Sequence, residues 1–182
     1  MWDYESVMGK AQTYFGRAET HPHAEDDEFA LWTLMGLEFL LRAPLAKVHP
    51  SLLAAPEGDA ILAACGILVE GEHKSAPTHT VIKRLMHVVS GFDKDRQNDA
   101  TALVGLRNVE VHTGSAALAS INNDAWLPGF TRVADVLCVH LGMTLEDLVG
   151  DEIATLGRSL VDAQDKKLAH EITTRIEQAR QV

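Results

Sequence analysis

One short segment of this chain carries side chains that could act together on a phosphodiester. Arg107, Asn108 and His112 lie within six residues of one another. A histidine can exchange protons near neutral pH, and a guanidinium can hold a phosphate through paired hydrogen bonds. The pair therefore suits metal-independent cleavage of RNA, in which the ribose 2′-hydroxyl attacks the phosphorus. The histidine would move the protons and the arginine would stabilise the charge on the phosphorane.

These residues fall at the end of a helix that we predict over about 95–112. Five positions separate Arg107 from His112 by about 140° around the helix axis, whereas Asn108 and His112, four apart, share a face. Gly114 is placed to cap the helix, and a helix C-terminus favours a positively charged imidazole. We therefore expect the three side chains to border one pocket at the end of this helix.

Apolar periodicity and composition predict an all-α protein around this helix. Of the 182 residues 46% are hydrophobic and only 5% aromatic, with Ala and Leu dominant, and this mixture favours helices over sheets. The predicted fold is a single domain over 1–182, a bundle of four to five main helices plus short additional helices. The further helices are predicted at 1–18, 28–48 with a kink at Pro44, 77–89, 124–141 and 151–181, with a short helix capped by Thr144 and Asp147 and a short buried helix or, less favoured, a strand at 60–69.

The formal charge of −10 argues against broad coating of nucleic acid, because most of that affinity comes from cationic side chains on phosphates. Residues 73–92 contain no acid and form a local basic island. Lys83 and Arg84 are weak candidates for RNA contacts there, and an ordinary solvated helix face is the alternative interpretation. Glu38 and Arg42, spaced i, i+4 in the favourable order, are expected to form an ion pair.

The sequence predicts neither a metal nor a cofactor. Cys65 and Cys138 lie far apart among apolar neighbours, which predicts two buried free thiols in a reducing compartment. His21-Pro22-His23 is not a recognised ligand spacing.

The N-terminus lacks the pattern of a signal peptide and the apolar run at 60–69 is too short to cross a bilayer, so we predict a cytoplasmic protein with no membrane partner.

Two segments resemble the HEPN domain family. Arg107-Asn108-Val109-Glu110-Val111-His112 is similar to the R-N-x-x-x-H form of the HEPN signature. The stretch 34–49, which contains Glu38 and Arg42, is similar to the long early HEPN helix. The resemblance spans about 28–150, which we take as the domain core, and leaves 151–182 as a C-terminal helix for a dimer or partner contact.

The resemblance implies a metal-independent endoribonuclease of a bacterial phage-defence or toxin–antitoxin system, leaving a 2′,3′-cyclic phosphate. It implies Arg107 and His112 as the catalytic pair, with Asn108 and, less strongly, Glu38 in support. It also implies an RNA substrate, a homodimer whose two motifs face one cleft, and an antitoxin or other protein partner. A toxin subgroup of the family has a tyrosine two positions after the histidine. This chain has Gly114 there, so we do not expect regulation by modification of such a tyrosine. A non-catalytic HEPN-like module that binds a protein or nucleotide is the alternative, and a DNA-binding regulator is a third, less favoured one.

Overall fold

The computed structural model describes residues 1–24 and 26–180, with the side chain of Arg180 excepted. Within those residues the chain is an all-α bundle, and its β pairing is limited to an isolated bridge between Ala54 and Ser75. Short 3₁₀ turns lie at Pro50–Leu53 and Leu118–Ser120. The α-helices in the described residues are α1 (Tyr4–Glu19), α2 (Asp27–Leu40), α3 (Ala43–Val48), α4 (Ala60–Ala64), α5 (Thr78–Val88), α6 (Lys94–His112), α7 (Asn123–Leu141), α8 (Leu145–Val149) and α9 (Asp151–Arg180).

The core forms where α1, α2 and α7 pack together. Phe15, Phe29 and Phe130 are completely buried there, and the Phe15 and Phe130 rings meet at 5.9 Å between centroids. A Cβ added at Gly36 would lie 2.7 Å from the Phe15 ring, so only glycine lets α1 approach α2 this closely. This packing fixes α2, the helix that carries Glu38.

Helix α6 packs against α2, α5 and α7. Asp93 caps its first turn by accepting the Arg96 backbone N–H at 3.0 Å. Only Ala100 and Leu103 are fully buried on this helix, so α6 lies at the edge of the bundle with one face in solvent. Its C-terminal half crosses α2 close to Glu38.

The predicted helix at 28–48 is interrupted in the turn before Pro44, but as a break into two helices rather than the predicted kink within one. Helix α2 ends at Leu40, and Pro44 occupies the first turn of α3. Proline lacks an N–H and its ring would meet the carbonyl oxygen four residues earlier. The chain therefore breaks at Leu41 and Arg42 and starts a new helix in which proline is tolerated.

One local prediction was right in part and another failed. The short helix predicted within 60–69 is present as α4, but the run is not buried along its length. Helix α4 stops at Ala64, and beyond the positive-φ Gly66 the apolar Ile67 and Leu68 are exposed, so 60–69 is only partly buried. Gly114 does not cap α6, because the Thr113 hydroxyl donates to the Val109 carbonyl at 2.7 Å and Thr113 itself turns the chain away.

Two further features concern the helical stretch at Asp27–Val48 and the last helix, α9. The 22-residue stretch Asp27–Val48 is long and apolar enough to cross a membrane by length and composition, but 67% of its most apolar window is buried inside the protein. A core helix passes the same test, as does a signal sequence near an N-terminus. Helix α9 packs against the body of the protein only as far as Val161, and beyond it every described side chain except that of Thr174 is exposed. Gln181, its predicted last residue, lies outside the described residues.

Candidate functional site

The last turns of α6 place the three motif residues in different surroundings. The side chain of Arg107 is only 12% exposed and points at α2. Asn108 and His112 are exposed on the outer face of the helix, as their four-residue spacing predicts. No direct bond joins Arg107 to His112 among the hydrogen bonds of the described residues. The expectation that the three side chains border one pocket is therefore wrong for a single chain, because the separation of about 140° sends Arg107 towards α2 and His112 to the outer face.

Glu38 is the centre of a charged network that connects three helices. Its carboxylate accepts a hydrogen bond from Arg42 on one oxygen and from Arg107 on the other. The Thr78 hydroxyl, in the first turn of α5, donates to Glu38 Oε1 at 2.5 Å and accepts from Arg42 Nη2 at 3.1 Å. Arg42 also donates to the Glu38 carbonyl oxygen at 2.8 Å. The predicted Glu38–Arg42 ion pair is thus present, and Glu38 meets Arg107 as well.

The positive and negative charges of this network do not cancel. One carboxylate lies between two guanidiniums, which leaves one net positive charge, and all three side chains are 12–13% exposed. Arg107 Nε is buried and has no hydrogen-bond partner. A buried donor without an acceptor is costly, so the contact with Glu38 leaves Arg107 incompletely paired.

The two weaker candidates for RNA contacts, Lys83 and Arg84, differ in whether their side chains are free to bind a ligand. Lys83 is exposed on α5 and remains available to solvent. Arg84 donates to the Leu52 carbonyl oxygen and, at 3.4 Å, to that of Ala54. The guanidinium of Arg84 therefore anchors the loop after α3 rather than facing solvent.

The sequence interpretation missed Thr78. A single threonine at the start of a helix ordinarily indicates capping, and nothing in the sequence links it to Glu38, which lies 40 residues earlier. The interpretation of the cysteines was half right, because Cys138 is buried and Cys65 is exposed.

Within the described residues, no group of three His, Cys, Asp or Glu side chains is arranged to hold a metal ion. The chain matches no protein-family model, no curated protein sequence and no solved structure.

Proposed function

We propose that this protein is a metal-independent endoribonuclease of the HEPN kind, in which Arg107 and His112 act on a phosphodiester of RNA. The observation that carries the proposal is the contact between Glu38 and Arg107. It joins the two segments that resemble the family, which are 69 residues apart in sequence. The early helix therefore supplies the group that orients the motif arginine.

The side chains suit the two parts of the reaction. His112, exposed at the end of α6, would take the proton from the ribose 2′-hydroxyl or give one to the departing 5′-oxygen. Attack of the 2′-oxygen on phosphorus and cleavage of the P–O5′ bond would leave a 2′,3′-cyclic phosphate and a 5′-hydroxyl. Arg107 would stabilise the charge on the phosphorane, held by Glu38 so that less rotamer freedom is lost on binding.

A dimer fits this division of roles. Arg107 and His112 point to different sides of one helix, so the proposed reaction needs a second copy of the chain to bring a histidine and an arginine together. The exposed face of α6 that includes Asn108 and His112 also carries Ala102, Gly105 and Val109, whose small side chains allow close approach of another helix.

The test is cleavage of RNA in the presence of a chelator, with the product ends analysed for cyclic phosphate. We expect H112A and R107K to lose cleavage by a factor of about 100 or more, since general acid–base catalysis and paired phosphate contacts each contribute on this scale. H87A is the matched control, because His87 is also an exposed histidine in the last turn of a helix. Cleavage by H112A at the rate of H87A would refute the proposal.

A non-catalytic binding module is the second candidate, and one observation favours it. The Arg107 guanidinium is largely covered and already paired with Glu38, as in an ordinary structural ion pair. This candidate predicts no RNA cleavage by the purified wild-type chain, loss of stability in R107K and an H112A variant that keeps every partner interaction. The two candidates are therefore separated by the same set of variants.

A further inference from the structure

The outer half of α9 leaves the body of the protein. Its last bonds to the body are between Arg132 and Asp165 at 2.9 Å and between the Gln164 amide and the Asp124 carbonyl oxygen at 3.1 Å. From residue 166 to residue 179 every side chain except that of Thr174 is exposed. This segment, which we call the α9 arm, extends about 21 Å.

The α9 arm carries an apolar stripe. Leu168, Ile172 and Ile176 recur every fourth residue and are 57%, 49% and 47% exposed. Leu168 borders an open cleft of about 680 Å³ beside the start of α6, so the protein's own body does not fill the space next to it.

The stripe is complementary to itself in one register. In an antiparallel pair with its two-fold axis at Ile172, Leu168 of each helix lies opposite Ile176 of the other, and the two Ile172 side chains meet. A spacing of four residues forms the ridge that helices use to pack together. The apolar contact is therefore continuous across the pair.

The charges beside the stripe fit the same register. Glu171 and Arg175 lie on one side of it, about 100° and 60° from Ile172 around the axis. The two-fold axis keeps them on the same edge of the pair, so Glu171 of one helix is about 3 Å along the axis from Arg175 of the other. The two Glu171 residues are also about 3 Å apart along the axis, but Arg175, at 60° from the stripe, lies nearer the contact than Glu171 does at 100°. The two Glu171–Arg175 pairs are therefore the closer contacts, and each has opposite charges.

We propose that the α9 arm binds the α9 arm of a second copy of this chain as an antiparallel, two-fold helix pair. Three apolar residues per chain make a contact smaller than the roughly 1,200–2,000 Å² of a stable interface. The pair is therefore weak and reversible by itself, and it adds an association step to whatever contacts other surfaces make. The proposal does not rest on ribonuclease activity.

The first test uses two variants whose flanking charges repel within each variant and attract between the two. In E171R both flanking residues are basic and in R175E both are acidic, so each variant alone opposes like charges. We expect sedimentation at increasing protein concentration to show that each variant loses one association step of the wild type, and that an equimolar mixture regains it. Both variants lose the same intrahelical pair, so helix stability cannot explain recovery on mixing. A mixture that sediments as the sum of its separate components overturns the proposal.

The second test locates the two-fold axis. In a chain with Cys65 replaced by Ser, I172C places two thiols at the axis, where facing Cα atoms fall in the range a disulfide requires. We expect a disulfide-linked dimer under mild oxidation. The control is H170C, because residue 170 lies about 160° away from the stripe and should remain monomeric on denaturing gels. Equal cross-linking at both positions contradicts the proposed register.

Discussion

Replacing Glu38 by Gln is the sharpest test of the network at the candidate site. The amide keeps the shape of the side chain but has only one acceptor oxygen, and its NH₂ group faces donors from Arg107 or from Arg42 and Thr78. Whichever way the amide turns, one guanidinium loses an acceptor oxygen on residue 38, and both guanidiniums lose the neutralising charge. We expect E38Q to fold but to be clearly destabilised.

The magnitude follows from burial. Removing one partner of a buried ion pair costs about 3–5 kcal/mol, and the 12–13% exposure of these side chains lets water offset part of it, so we expect about 2–4 kcal/mol. R107Q leaves the Glu38–Arg42 pair intact and should cost about 1.5–3 kcal/mol, the scale of one hydrogen bond to a charged group. T78V removes the hydroxyl that bonds both Glu38 and Arg42 and should cost an amount in the same range of about 1.5–3 kcal/mol.

The assay is urea unfolding followed by helical circular dichroism, with E38Q, R107Q and the double variant as a cycle. Glu38 opposes fewer positive charges once Arg107 is absent, so the double variant should cost less than the sum of the singles by about 1–2 kcal/mol. E72Q, at an exposed glutamate, is the control and should be neutral. Additivity of E38Q and R107Q, or a larger loss in R107Q than in E38Q, would refute this account of the network.

Two further predictions concern the core and the thiols. G36A should lower the free energy of unfolding by about 1–3 kcal/mol, because its Cβ would lie 2.7 Å from the fixed Phe15 ring. G9A, in open space on α1, should raise that free energy by about 0.5–1 kcal/mol. Equal effects of the two variants in urea unfolding would exclude the close approach of α1 and α2 at Gly36. In the native protein one thiol, Cys65, should react with a thiol reagent, and two after unfolding. Burial raises the pKa of the Cys138 thiol from 9.0 to about 12. Between these values only the unfolded chain ionises the thiol, so the free energy of unfolding should fall as the pH rises above 9. The C138A variant should lack that part of the pH dependence.

The sequence predicted the main helices because each carries a local signal. Apolar periodicity, the acids at the start of α2 and the capping pair Thr144–Asp147 act within one or two turns, and the reciprocal capping bonds are present. Predictions failed where a longer-range contact or a competing local bond decides the outcome. The run 60–69 is apolar but has no surface to cover it after Gly66, and the Thr113 hydroxyl takes the capping role expected of Gly114.

The candidate site was predicted in part for the same reason. The i, i+4 spacing of Glu38 and Arg42 is local and their ion pair was predicted from it. The contact between Glu38 and Arg107 depends on how α6 crosses α2, which periodicity cannot supply; only the resemblance suggested that the two belong together. Thr78 joins the network through a third helix, and a lone threonine carries no signal of such a contact.

The charge balance at Glu38 connects the structural role of the network to the proposed chemistry. If the network only stabilised the fold, one guanidinium would suffice to neutralise the carboxylate, and Arg42 already does so from the adjacent turn. The second guanidinium leaves a net positive charge and an unpartnered Nε in a chain whose overall charge is −10. A phosphate that approaches Arg107 would compensate the charge, at a place where Glu38 keeps the guanidinium oriented without cancelling its charge. Phosphate or a short oligonucleotide should therefore stabilise the wild type against urea and fail to stabilise R107Q, and equal stabilisation of the two would leave Arg107 with a structural role alone.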